Sequence, residues 1–262
     1  MSDRNATAVP GPLGGKNIYG VDAGILLLET PVPRIPGDVG NARTWPYPVH
    51  YRVVRGVTPE RVLPTLDRDY VLPLFTEAAL ALEQQGVAVV GAGCGFTIAL
   101  HEEIQDRLTV PFVSSSLLQI PGILAMLAKF QSLGILTIRK ASLTPSVLSS
   151  AGLRDFDRVS VYGMDDFGGY FSKSFIGNAT NVDFARVRRE HISAAQSIMQ
   201  QAPNTGALLL ECTNMPPYAG DIQRVTGVPV YDFTTALNSA VHAAVRPPFG
   251  RTLPGVSNLT GI

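Results

Sequence analysis

A pattern of apolar strand, cysteine, helix and Val-Pro strand occurs twice along this chain. The first copy leads from the apolar segment before Cys94 to Val110-Pro111, and the second leads from the segment before Cys212 to Val228-Pro229. The two cysteines are 118 residues apart, and Pro111 and Pro229 have the same separation. Equal spacing of matching elements indicates a duplicated unit.

The repeated pattern predicts an α/β fold with two similar lobes. The run before each cysteine, 86–93 and 206–211, is small and apolar, which is typical of a buried parallel strand. We expect each lobe to be a mainly parallel sheet flanked by helices, with the lobes related by pseudo-two-fold symmetry and the active site between them. The predicted divisions are a flexible tail, a first lobe with a returning helix and tail, and a second lobe: 1–17, 18–133 with 235–262, and 134–234.

Composition excludes several classes of function. The 262 residues contain 21 Lys and Arg and 21 Asp and Glu, so the net charge is zero and nothing favours a nucleic-acid partner. The first residues lack the pattern of a secretory signal, and two cysteines make no disulfide framework, so we expect a cytoplasmic protein. Prolines and serines interrupt the uncharged segment 108–128, which predicts core and no membrane partner.

The position of each cysteine, at a strand end and before a predicted helix, favours chemistry. Ligands of open α/β sheets bind beyond the carboxyl ends of the strands. A helix N-terminus can lower a thiol pKa from about 8.5 to roughly 3.5–7.5, as a proton-shuttling base requires. The helix after Cys94 is predicted to continue to about Arg107. A free cysteine can instead be a small buried apolar residue, but the context shared by Cys94 and Cys212 favours function.

Four segments resemble the aspartate/glutamate/hydantoin racemase superfamily. They are Cys94-Gly-Phe, the turn Leu208-Leu-Leu-Glu-Cys-Thr-Asn214, Gly227-Val-Pro-Val-Tyr-Asp232 and Gly134-Ile-Leu-Thr137, and the resemblance covers about 18–245. It implies two α/β lobes and a pair of cysteines on opposite faces of the substrate α-carbon. One thiolate would remove the α-proton and the other thiol would deliver a proton from the far side. It implies no pyridoxal phosphate, metal or other cofactor.

The resemblance assigns the catalytic roles to Cys94 and Cys212. Stabilisation of the enolate-like intermediate would come from backbone N–H groups around Gly95 and Thr213. The other predicted substrate-binding residues are Phe96, Thr97, Ser114, Thr137, Asn214 and Arg34. We expect a small-molecule substrate and a homo-oligomer of two or more chains.

The predicted function is cofactor-independent racemisation or epimerisation of an amino acid or a hydantoin-like compound. Phe96 stands where glutamate racemases have a polar residue after the first cysteine, which favours a substrate other than glutamate. The alternatives are isomerisation or decarboxylation of a small diacid on the same fold, although two cysteines argue against a single-thiol decarboxylase, and a binding protein without turnover.

The long proline-rich segment 29–50 allows two interpretations. As a lid, it would place Arg34 on a substrate carboxylate and Trp45 where it excludes water. As a scaffold, it would be rigid and would leave Arg34 in solvent. Two further side chains each allow a structural and a functional role. His101 is either a core or capping residue or sets the charge of the Cys94 thiol. Glu211 is either a buried, hydrogen-bonded carboxyl or shifts the pKa of the Cys212 thiol.

Overall fold

The computed structural model describes residue 15 and residues 17–63 and 65–246. Most of the predicted N-terminal tail and residues 247–262 of the returning segment therefore lie outside the described residues.

The first lobe is a parallel sheet of four strands in the order β2-β1-β3-β4. Its elements in chain order are β1 (Ala23–Leu28), β2 (Val49–Val54), α1 (Arg68–Gln84), β3 (Val89–Ala92), α2 (His101–Gln105), β4 (Phe112–Val113) and α3 (Ile120–Met126).

The second lobe has the equivalent strand order, β6-β5-β7-β8, and is also parallel. Its elements are β5 (Ser132–Thr137), α4 (Pro145–Ser150), β6 (Val159–Gly163), α5 (Tyr170–Ile176), α6 (Phe184–Gln201), β7 (Thr205–Leu210), α7 (Ala219–Thr226) and β8 (Val230–Tyr231). The predicted fold of two similar α/β lobes is confirmed.

Burial explains why the central strands read as continuous apolar runs. Every residue of β3, β5 and β7 is buried, since helices cover both faces of a parallel sheet. The helices instead bury one face. In α6 the buried residues follow the helical repeat from Val187 to Ile198, and the Asp183 side chain caps its first turn by accepting a hydrogen bond from the Arg186 N–H.

The last described helix, α8 (Phe233–Ala244), returns to the first lobe. It contacts β3 and β4, and Phe233 and Leu237 lie so close to Gly91 of β3 that a β-carbon there would come within 3.1 Å of Phe233. Asp232 starts the helix in a capping box with Thr235. Within the described residues, no helix is both long and apolar enough to cross a membrane.

Candidate active site

A small cavity lies where strands of both sheets end. The space open to the centres of water molecules is about 60 Å³. The turn after β3 and the turn after β7 supply its centre, while the end of β1, residues 59–63 and the end of α5 supply apolar walls. Its lining residues are Leu28, Pro59, Val62, Leu63, Gly93, Cys94, Gly95, Phe96, Ile138, Phe175, Ile176, Glu211, Cys212, Thr213 and Asn214.

Cys94 and Cys212 both line this cavity, one from each lobe, and both are free thiols. Their catalytic role stays a prediction. The expectation of readily ionised thiols is wrong: burial, followed by the charge of Glu211, raises the pKa of Cys94 to about 12 and holds the pKa of Cys212 well above its ordinary value.

The local structure after Cys94 contributes to this outcome. A 3-10 helix, Gly95–Leu100, follows the cysteine and leads into the short α2, in place of the predicted continuous helix. The Thr97 hydroxyl lies 2.7 Å from the carbonyl oxygens of Cys94 and Ser114, so it ties the turn to the end of β4. A short 3-10 helix aligns few peptide dipoles, so it offsets little of the cost of burying a thiolate.

Glu211 is a fully buried carboxyl beside both thiols. Thr137 Oγ1 donates a 2.8 Å hydrogen bond to Glu211 Oε2, whereas Oε1 has no hydrogen-bond partner among the described residues. Burial raises the pKa of Glu211 to about 7, against the opposing hydrogen bonds from Thr137 and the Ile138 backbone. The described residues contain no group of three or more His, Cys, Asp or Glu side chains that could hold a metal ion.

The segment 29–50 is attached to the second cysteine turn. The Val39 N–H donates to the Thr213 carbonyl oxygen at 3.3 Å, and Asn214 Nδ2 donates to Asp38 Oδ2 at 2.6 Å. Cys212 Sγ lies 3.6 Å from Asn214 Oδ1. The segment therefore connects the two lobes and orients the side chain next to the second thiol.

Comparison with known sequences finds relatives that are named dimethylsulfoniopropionate lyases. No family model matches this sequence. A dimethylsulfoniopropionate lyase of Durusdinium sp. clade D is 28% identical over 253 residues, which cover 92% of this chain and 81% of that protein. Dimethylsulfoniopropionate lyase 6 of Emiliania huxleyi (strain CCMP1516) is 29% identical over 87% of this chain, which spans 61% of that protein's length.

Solved structures with the same architecture belong to one superfamily. Unliganded arylmalonate decarboxylase matches with a TM-score of 0.51 at 20% identity, over 88% of this chain and 98% of that chain. Glutamate racemase isoform RacE1 of Bacillus anthracis matches with a TM-score of 0.53 at 16% identity, over 85% of this chain and 82% of that chain. Picrophilus torridus aspartate racemase matches with a TM-score of 0.50 at 17% identity, over 85% of this chain and 93% of that chain. The chain shares the fold of arylmalonate decarboxylase and of these glutamate and aspartate racemases.

In this fold, six of the ten predicted site residues line the cavity. They are Cys94, Gly95, Phe96, Cys212, Thr213 and Asn214. Thr97 and Thr137 lie directly behind the lining, where they hold the first cysteine turn and Glu211. Ser114 and Arg34 are not brought to the cavity.

The Arg34 guanidinium is bound to a protein carboxylate. Its Nη1 donates to Asp38 Oδ1 at 2.7 Å, and only 15% of the Arg34 side chain is exposed. Trp45 is also away from the cavity, because its indole packs on Tyr47 and Phe233 and donates to the Val39 carbonyl oxygen. Neither side chain therefore has the position that the lid interpretation predicts, and Arg34 is largely buried in its ion pair instead of lying in solvent as the scaffold interpretation predicts.

The buried Ser114 and the half-buried His101 form a separate pair. Ser114 Oγ lies 2.9 Å from His101 Nδ1, and the imidazole stacks on Phe112. Burial lowers the pKa of His101. These contacts correspond to the structural alternative for His101.

Sequence analysis missed the apolar walls of the cavity, from Leu28, 59–63, Ile138 and the end of α5. Each of these residues has the local pattern of an ordinary core residue. Glu211 did carry a signal, since a carboxyl between a buried strand and a cysteine is unusual.

Proposed function

We propose that this chain is an enzyme that removes the proton next to a carboxylate and that dimethylsulfoniopropionate or a close analogue is its substrate. The observation that carries the proposal is the pair of thiols, Cys94 and Cys212, on one largely apolar cavity between the lobes. The relatives named as dimethylsulfoniopropionate lyases favour elimination as the outcome.

The elimination requires one base. A thiolate takes the proton from the carbon next to the carboxylate, and the electron pair of that C–H bond forms the new C=C bond. The C–S bond to the sulfonium breaks, and its electron pair leaves on sulfur. The products are dimethyl sulfide, acrylate and the protonated thiol. A positioned base of this kind contributes about 10²–10⁴-fold to a rate.

The charges around the cavity favour a substrate that carries both a positive and a negative charge. No Lys, Arg or His is among its lining residues in the described part of the chain, whereas Glu211 is. A sulfonium group is attracted by a carboxyl and by the aromatic faces of Phe96 and Phe175. The substrate carboxylate would accept hydrogen bonds from the cysteine-turn amides around Gly95 and Thr213. A diacid would bring two negative charges to a cavity with no cationic lining residue, which disfavours the diacid alternatives.

Racemisation is the second candidate, supported by the contribution of one thiol from each lobe. Inversion at carbon requires a base and an acid on opposite faces, and Cys94 and Cys212 follow equivalent strands, β3 and β7.

The test is a parallel assay of the purified chain. With dimethylsulfoniopropionate we expect headspace dimethyl sulfide and an equal amount of acrylate. With a panel of amino acids and hydantoins in deuterium oxide we expect no deuterium at the α-carbon. Deuterium incorporation with loss of optical rotation, and no dimethyl sulfide, would instead establish the racemase. A chain inactive in both arms would contradict the proposal.

A further inference from the structure

Glu211 connects the two cysteine turns. It directly precedes Cys212, and its Oε1 lies so close to Gly95, the neighbour of Cys94, that a β-carbon on that glycine would overlap it. The side chain is fully buried. One carboxyl oxygen is held by Thr137, and the other has no hydrogen-bond partner among the described residues. Glu211 therefore lies against the first cysteine turn and directly precedes the second cysteine.

Three acidic groups therefore lie in one region: the fully buried Glu211 and the half-buried thiols of Cys94 and Cys212. A fourth acidic group, Asp38, acts on Cys212, and Arg34 pairs with Asp38 at 2.7 Å. No cationic side chain is among the described residues that line the cavity. Because charges interact strongly where water is excluded, two negative charges among these three groups are disfavoured.

We propose that Glu211 and the two thiols share a single negative charge at neutral pH, and that Glu211 is the positioning residue that controls when a thiolate forms. The inference rests on the proposed acid–base role of the thiols. When the charge moves, the S–H bond of one thiol breaks and an O–H bond forms on Glu211, so the total charge of the site does not change. Groups coupled in this way titrate as a unit.

The direction of each pKa shift agrees with this coupling. Burial raises the pKa of Glu211 to about 7. The Glu211 charge contributes, after burial, to the raised pKa of Cys94 and of Cys212. Below pH 7 the carboxyl is neutral, and the thiolate fraction grows with pH. Above pH 7 the singly charged state dominates, and the thiolate fraction becomes level until a second proton is lost.

The experiment measures alkylation of the full chain by iodoacetamide between pH 5.5 and 9. The chain has only two cysteines, so peptide mass mapping reports each thiol separately. For the wild-type chain we expect the logarithm of the rate to rise with unit slope and to flatten above about pH 7. For Glu211→Gln we expect the unit slope to continue, so that at pH 8.5 the variant reacts at least about tenfold faster.

Thr137→Val is the second variant. It removes a hydrogen bond that favours the charged form of Glu211, so the flattening should begin at higher pH. This variant tests the inference if Glu211→Gln does not fold. Profiles of the same shape in the wild-type chain and in the variants would overturn the inference, because a carboxyl with only a packing role changes accessibility and not the shape of a pH profile.

Alkylation needs no substrate, so it separates the two proposals. A flattened wild-type profile without lyase activity supports the coupling and contradicts the proposed function. Lyase activity with a straight wild-type profile contradicts the coupling alone.

Discussion

At the residue scale, the chemistry of this site depends on what lies next to each thiol. Both cysteines follow strands as the sequence predicts, yet their pKa values are raised rather than lowered. The local signal, a helix N-terminus, is weaker here than burial and the neighbouring Glu211. The residues next to Cys94 and Cys212 in the sequence do not show how the folded chain removes each thiol from water. The direction of the two pKa shifts could therefore not be predicted from the sequence.

Because the elimination requires one base, whichever of Cys94→Ala and Cys212→Ala removes that base is expected to lower turnover by at least about 100-fold. Initial rates of dimethyl sulfide release measure the loss, and circular dichroism checks that the fold is retained. Near wild-type turnover in both variants would contradict a thiol base.

Gly95→Ala is expected to lower both activity and stability. The added β-carbon would overlap Glu211 Oε1, so the carboxyl and the first cysteine turn must separate, at a cost of about 1–3 kcal/mol in the free energy of unfolding. The matched control is Gly122→Ala in α3, where a β-carbon meets no atom within 4 Å. That control should be neutral or stabilising by up to about 1 kcal/mol. Urea denaturation measures the free energy of unfolding of both variants. An equal change in the two variants would show that Gly95 is not constrained by Glu211.

At the element scale, the segment 29–50 acts as a connection between the lobes. Asp38 receives hydrogen bonds from Arg34, from the Gly40 N–H and from Asn214, and Gly37, at φ +97°, lies against Pro217 of the second lobe. The composition of the segment indicates that it matters, but not which carboxylate its arginine binds. Arg34 binds a carboxylate four positions along the same segment, and Asn214 of the second lobe binds the other oxygen of that carboxylate.

Arg34→Ala is therefore expected to destabilise the fold rather than to remove a substrate contact. Loss of the partner leaves the nearly buried Asp38 carboxylate with fewer hydrogen bonds, which should cost about 1–3 kcal/mol in unfolding free energy. Arg55→Ala is the control, because its ion pair with Glu29 is largely exposed and solvent screening leaves it little effect on stability. Chemical denaturation and KM are measured for both. A raised KM with unchanged stability in Arg34→Ala would restore the carboxylate-binding role.

At the scale of the whole molecule, two buried groups give opposite dependences of stability on pH. The folded pKa of Glu211 is raised from 4.5 to about 7, so its contribution is present below pH 4.5 and is lost as pH rises to 7. The folded pKa of His191 is lowered by burial from 6.5 to about 4, so its contribution is present above pH 6.5 and is lost as pH falls to 4.

We therefore expect the unfolding free energy of the wild-type chain to be nearly level between pH 5 and 6.5, where the two slopes cancel. Glu211→Gln removes one slope, so its stability should fall by about 2 kcal/mol from pH 6.5 to pH 5. His191→Phe should show the reverse trend. Urea denaturation at several pH values measures this, and parallel curves for all three proteins would contradict it.

The sequence by itself determined the duplicated α/β architecture, because the apolar runs of the buried strands and the cysteines that follow them are local patterns that occur twice along the chain. It also placed both cysteines at strand ends, which brings them to one cavity once equivalent strands of the two lobes end side by side. Only the tertiary structure decided that Asn214 binds the Asp38 carboxylate, that α5 and residues 59–63 supply apolar walls, and that Glu211 lies against Gly95. The physical reason is that these features depend on contacts between distant segments, and burial and charge at such contacts have no local pattern.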